Sequence, residues 1–108
     1  MQKSIDDIDF EKSGGLVPVI VQDYNTKDVL TLAYTNRESL QKTKDTGKSW
    51  FFSRSRNKLW MKGEESGNTQ QVKDILVDCD SDAIIYLVEP SGPACHTGEK
   101  VCFHNALD

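Results

Sequence analysis

Asp78, Asp80 and Asp82 alternate along the segment DCDSD, with Cys79 between the first two; Cys95 lies 16 positions beyond Cys79, and Cys102 a further 7. On a strand the three carboxylates would share one face, about 7 Å apart, whereas in a turn they could converge on one point. Like charges that close repel unless a cation sits among them, and a hard cation such as Mg²⁺ takes oxygen ligands and keeps some of its waters. An acidic solvent-facing turn would be written with the same residues. A full calcium loop is excluded, because the chain past Asp82 runs directly into Ala83, Ile84 and Ile85.

Neither cysteine gap matches the short spacing of structural zinc knuckles. Three thiolates do not close a tetrahedron, and an open fourth position is what a hydrolytic zinc site needs. Small buried cysteines are the ordinary alternative. Position favours zinc: Cys79 lies inside the acidic cluster, Cys95 precedes His96, and Cys95 and Cys102 belong to the Gly- and Pro-bearing stretch SGPACHTGEKVC. His96 and His104 are the only histidines. Either could complete a zinc shell, act as a general base near neutral pH, or do neither.

Ser53, Arg54, Ser55, Arg56, Lys58 and Lys62 form the one basic, hydroxyl-rich stretch. Guanidinium and hydroxyl groups match phosphate geometry, although a solvated hairpin turn accounts for the same composition. Trp50 and Trp60 flank it and suit a core, a dimer interface or a base-stacking platform.

The elements that must position these groups follow from patterning. Leu16 to Gln22 reads as a β-branched strand, with Pro18 at an edge or an early position, and Val29 to Tyr34 as its hairpin partner across the turn Asn25–Asp28. Asn36 looks like a helix N-cap, Leu40 lies on the short apolar stripe, and Gly47 can end the helix. Ser49–Ser53 and Leu59–Lys62 suggest a second strand pair. Val72–Val77 and Ala83–Val88 are apolar runs joined by DCDSD, which puts the acidic segment at a tight hairpin connection. The expected class is α+β, a mainly antiparallel sheet with one or two short helices, in a single domain over residues 1–108.

With 108 residues, 37% of them hydrophobic, the core is modest and would gain from a metal or an oligomeric interface. A net charge of −4 argues against a nucleic-acid binder but leaves room for one basic pocket taking a small phosphorylated ligand. No apolar run reaches the roughly 18 residues of a membrane span, and the segment MQKSIDDIDFEK lacks a signal-peptide core. Cytoplasmic residence, without stable disulfides, is the expectation.

Taken together, GLVPVIVQD (Gly15 to Asp23), VLTLAYTN (Val29 to Asn36), FSRSRNKLWMKGEESGNTQ (Phe52 to Gln70), DCDSDA (Asp78 to Ala83), GPACHTG (Gly92 to Gly98) and the CF at Cys102–Phe103 resemble the phosphoribosyl-AMP cyclohydrolases of histidine biosynthesis. Any one of these words is weak, but their order over nearly the whole chain is specific. The resemblance implies hydrolytic opening of the adenine ring of N1-(5-phosphoribosyl)-AMP between N1 and C6 by zinc-activated water. It implies zinc ligands at Cys79, Cys95 and Cys102, and magnesium ligands at Asp78, Asp80 and Asp82. It also implies an intertwined homodimer in which Cys79 of one subunit joins Cys95 and Cys102 of the other, which would account for the long gap between them. His96 is then the expected proton shuttle, and Arg54, Arg56 and Lys62 the expected anion contacts.

The chain departs from the family pattern at Thr31 and Thr35, where many members carry Met, and at Asn68, where some carry His. The threonines bear on packing; Asn68 removes one potential base and strengthens the case for His96. So little chain follows Cys102 that a monofunctional protein is expected, without the fused pyrophosphohydrolase domain of some members. The competing reading is a non-catalytic zinc-stabilised module that binds a phosphorylated ligand or a protein.

Overall fold

The computed structural model describes residues 2–108. Two single 3₁₀ turns, Ile5–Asp7 and Glu11–Ser13, precede β1 (Val17–Asp23), β2 (Val29–Thr35), α1 (Arg37–Thr46), β3 (Trp50–Ser53), β4 (Lys58–Met61), β5 (Gln70–Val77) and β6 (Ile84–Pro90). The expected first hairpin is present, with Val17 opposite Thr35 and Ile20 opposite Leu32. Its turn closes because the Asp23 carboxylate accepts from the N–H groups of Asn25 at 2.8 Å and Thr26 at 3.1 Å. Such a side chain substitutes for the backbone acceptor that the reversing chain lacks.

Helix α1 starts where its N-cap chemistry demands. Asn36 Oδ1 accepts from the Ser39 N–H at 2.8 Å and Ser39 Oγ accepts from the Asn36 N–H at 2.9 Å, so two otherwise orphaned donors satisfy each other's residues. Gly47, at φ 72°, ends the helix in a left-handed conformation that costs glycine little. The apolar stripe is thin, as expected: Leu40 is buried together with the hydroxyl residues Ser39 and Thr43.

A four-stranded sheet runs in the order β2-β1-β6-β5, and β3 pairs with β4 in a separate hairpin. The pairing is mainly antiparallel, with one parallel pair at the centre, where Val19 faces Ile84 and Asp23 faces Val88. Pro18 lies one residue before that pairing begins, so its missing N–H leaves the β1–β6 ladder intact. One face of the sheet carries Val17, Val19, Val21, Leu30, Ile84, Tyr86 and Val88 into the core. Leu40 of α1 and Phe51 of β3 close that core from the other side, and the Phe51 ring stacks on Tyr86 with centroids 5.8 Å apart. Trp60 packs as a partly buried neighbour of this cluster, tilted against Phe51 at 5.1 Å. Thr35 is fully buried, its hydroxyl paired with Ser39 Oγ; hydroxyl contacts thus fill the sheet-to-helix junction at this position.

The opposite face holds a row defined by register. Leu32 pairs with Ile20, Ile20 with Ile85, and Ile85 with Leu76, so four apolar side chains cross the sheet in line. Leu32, Ile20 and Leu76 remain 46%, 36% and 45% exposed.

Candidate metal centres

Strand β6 joins two chemically distinct neighbourhoods. Its first residue, Ile84, follows the acidic loop, and its last, Pro90, leads into the Cys95 loop. Seven residues of strand put roughly 20 Å between them.

At the first end DCDSD is a tight β5–β6 connection. Asp78 Oδ1 accepts from the N–H groups of Asp82 at 2.9 Å and Ala83 at 3.2 Å, and Ser81 takes φ 64° to complete the reversal. This turn converts alternate spacing into convergence: one carboxylate oxygen from each of Asp78, Asp80 and Asp82 lies within 4.8 Å of the others. Among the described residues they are the one group of three or more His, Cys, Asp or Glu side chains gathered so closely. The donor set fits a hard divalent cation.

The N-terminal segment covers this loop. Lys3 Nζ donates to the carbonyls of Asp78 at 2.9 Å and Cys79 at 3.0 Å and to Ser81 Oγ at 2.7 Å, while the Asp9 N–H donates to the Ser81 carbonyl at 2.8 Å. Lys12 Nζ reaches the carboxylates themselves, 2.7 Å from Asp82 and 3.4 Å from Asp80. That ammonium, with hydrogen bonds among the three carboxyl groups, holds Asp82 down to about 2, and the carboxylates raise Lys12 in return.

At the second end the chain doubles back over Cys95. The Ala94 and Cys95 N–H groups donate to the carbonyls of Lys100 and Glu99, and the Gly98 N–H donates to the Cys95 carbonyl at 3.0 Å. The Cys102 N–H is anchored to the Leu30 carbonyl at 2.6 Å, which brings the two cysteines to the same edge. Thr97 Oγ donates to Cys95 Sγ at 3.0 Å, and His104 Nε2 lies 3.9 Å from it. The Thr97 hydroxyl and backbone N–H, then His104 and Cys102, lower the Cys95 thiol to about 6. A thiol so placed is largely thiolate at neutral pH, the form that binds metals.

Cys95 and Cys102 are therefore neighbours within one chain, and Cys79, exposed on the acidic loop, lies at the other end of the sheet. His96 is exposed beside Cys95, but the imidazole against the sulfur is that of His104. Arg54 and Arg56 sit in the β3–β4 turn; the Arg54 guanidinium stacks 3.9 Å above the Tyr34 ring, and Arg56 is exposed. Lys62 lies past the far end of β4 and donates to the Ala94 carbonyl at 2.6 Å, so it braces the Cys95 loop and is not grouped with the two arginines.

Lys3, Lys12 and Thr97 are contacts that the sequence did not bring forward, whereas His104 is already a candidate beside His96 there. Thr97, two positions after Cys95, had a local signal. Lys12 lies about 70 positions from its partners, and no local pattern links them.

The model of the phosphoribosyl-AMP cyclohydrolase family matches residues 31–104, more than half of the chain and both ends of the sheet. The chain is 85% identical over 107 residues to the phosphoribosyl-AMP cyclohydrolase of Nitrosopumilus maritimus and 78% identical over 107 residues to that of Cenarchaeum symbiosum, covering 99% of each chain. It is 64% identical over 93 residues to a histidine biosynthesis bifunctional protein of Thermus thermophilus, of which it covers 44%. The chain thus belongs to the phosphoribosyl-AMP cyclohydrolase family and is a hydrolase of that type, serving histidine biosynthesis.

Proposed function

We propose that this protein, as a homodimer of single domains spanning residues 1–108, opens the adenine ring of N1-(5-phosphoribosyl)-AMP by adding water at C6 and cleaving the N1–C6 bond. Zinc is assigned to Cys79 of one subunit with Cys95 and Cys102 of the other, and magnesium to Asp78, Asp80 and Asp82. When bound, zinc would supply the Lewis acidity that makes water nucleophilic near neutral pH. The observation that carries this reading is the placement of Cys79 and the Cys95–Cys102 pair at opposite ends of one sheet. A single chain cannot close that ligand set across a strand length. Two chains related by a two-fold axis lying between their sheets, perpendicular to the strands, set each acidic loop beside the partner's cysteine loop.

The row Leu32–Ile20–Ile85–Leu76, exposed at Leu32, Ile20 and Leu76, supports the same stacking, since its apolar face is the surface two packed sheets would share. The chain's own groups then divide the work. Cys95, held as thiolate by Thr97, is ready to ligate without first losing a proton. His96 takes the proton of the attacking water. Arg54 and Arg56, two positions apart in the β3–β4 turn, engage substrate phosphate, and Lys62 fixes the Ala94 carbonyl and the cysteine loop while presenting positive charge there. The cytoplasm is the assigned compartment, because the three free thiols must stay reduced to bind zinc.

The test is incubation of the purified protein with N1-(5-phosphoribosyl)-AMP, with ring opening followed optically before and after zinc chelation. Turnover that chelation abolishes is expected, and its absence from fully metallated protein would overturn the assignment. For the shared site, Cys79→Ser and Cys95→Ser chains are inactive alone and regain part of the activity when mixed. No recovery after demonstrated subunit exchange would exclude the shared ligand set.

A further inference from the structure

The acidic loop holds a positive group supplied by its own chain. Lys12 comes from the second 3₁₀ turn, outside the residues matched by the family model, and its ammonium bridges Asp82 at 2.7 Å and Asp80 at 3.4 Å. These are two of the three carboxylates that converge within 4.8 Å. A magnesium ion would need the same oxygens at about 2.1 Å. An ammonium left within hydrogen-bond distance of both would then crowd and repel the ion.

We propose that Lys12 is a tethered cation that occupies the divalent-cation position of the acidic loop and must swing out when the metal enters. The inference rests on reading Asp78, Asp80 and Asp82 as a metal site and adds a built-in competitor to it. Three features fit an exchange of this kind. The Lys12 side chain is 52% exposed, so it can leave into water without unpacking the core. The turn behind it stays put, the Gly14 and Gly15 N–H groups donating to the Glu11 and Phe10 carbonyls at 3.1 and 2.7 Å, so the exchange needs only the Lys12 side chain to move. The backbone anchors are separate: Lys3 on Asp78 and Cys79, and the Asp9 N–H on Ser81, keep the loop's shape while Lys12 departs. Between metal ions, Lys12 screens three converging carboxylates that would otherwise push the loop apart.

A solvent-facing ion pair is weak, so the competition should lower divalent-cation affinity by about three- to tenfold. The experiment uses zinc-loaded full-length protein at fixed ionic strength, with Mn²⁺ as the probe and free Mn²⁺ read by its electron paramagnetic resonance signal. Lys12→Met should bind Mn²⁺ about three- to tenfold more tightly than the unaltered chain, and Asp80→Asn should lose that binding in both backgrounds. Deleting a charge that merely stands nearby would also tighten binding, so a second readout is needed. Lysine acylation by an N-hydroxysuccinimide ester, quantified by mass spectrometry, should rise severalfold at Lys12 on addition of Mg²⁺, with Lys3 unchanged as the internal reference. Equal Mn²⁺ affinity in the two chains, or tight Mg²⁺ binding with Lys12 labelling unchanged or reduced, overturns the proposal. Failure of both chains to bind Mn²⁺ overturns the metal reading itself and takes this inference with it.

Discussion

Thr97 donates its hydroxyl to Cys95 Sγ at 3.0 Å and is the largest cause of the low thiol pKa, near 6. In metal-free protein Cys95 should therefore react with iodoacetamide along a pH curve with its inflection near 6, and Thr97→Val should move that inflection upward toward an ordinary thiol. Peptide mapping of the alkylated protein checks this, and an unshifted curve would show that the hydroxyl is not the cause. Asp23 gives a second test at this scale. Burial pushes its carboxyl up, but the N–H groups of Thr26 and Asn25 and the Lys100 ammonium outweigh that and leave it below the ordinary value of 3.8. A carboxyl depressed in the folded state stabilises above its unfolded pKa, and that contribution is lost as the pH falls through the folded one. Thermal melts between about pH 5 and pH 3 should accordingly show a shallower acid loss for Asp23→Asn than for the unaltered chain.

Turns and caps decide where the elements stop and which groups face one another. Asn36→Ala removes the oxygen that accepts from Ser39 and should cost about 1 kcal/mol by denaturant unfolding, with the fold retained. Gly63, at φ 84°, closes the loop after β4, and a Cβ there would run into the Asn68 carbonyl group and the Thr69 nitrogen. Gly63→Ala combines a left-handed strain with an overlap onto backbone that cannot rotate away, and should destabilise by about 2 kcal/mol or more. Asn68 belongs to the same loop. Its side chain is seated so closely over Gly92 that a Cβ at Gly92 would overlap its amide, so it positions the entrance to the Cys95 loop.

For the whole molecule the consequence of β6 is separation: one strand carries the acidic loop at its start and the cysteine loop past its end. The open face of the sheet is the surface through which a second chain would bring those ends together. Ile20→Lys, at the centre of the row Leu32–Ile20–Ile85–Leu76, should shift the protein from dimer to monomer in sedimentation velocity and abolish turnover, while far-ultraviolet circular dichroism stays unchanged. A variant that remains dimeric would move the interface elsewhere. Membership of an enzyme family removes the support for a non-catalytic zinc-stabilised module.

Much of this was legible in the residues because its causes are local. β-Branched and apolar runs between turn residues marked the strands, and the Asn36 and Gly47 caps bracketed α1, whose limits depend on hydrogen bonds within a few positions. DCDSD declared itself a tight connection, and the ordered words around it identified the family. What only the tertiary structure decided depends on groups far apart in the chain. An apolar run carries no strand direction, so the parallel β1–β6 pair and its two chemically different ends were invisible in it. Spacing grouped Lys62 with Arg54 and Arg56, whereas the fold sends it to the Ala94 carbonyl. It set His96 beside Cys95 in the chain, while the returning C-terminal segment brings His104 to the sulfur. Nothing near Lys12 foretells its place among the aspartates, because that contact exists only once the N-terminal segment has folded over the β5–β6 turn.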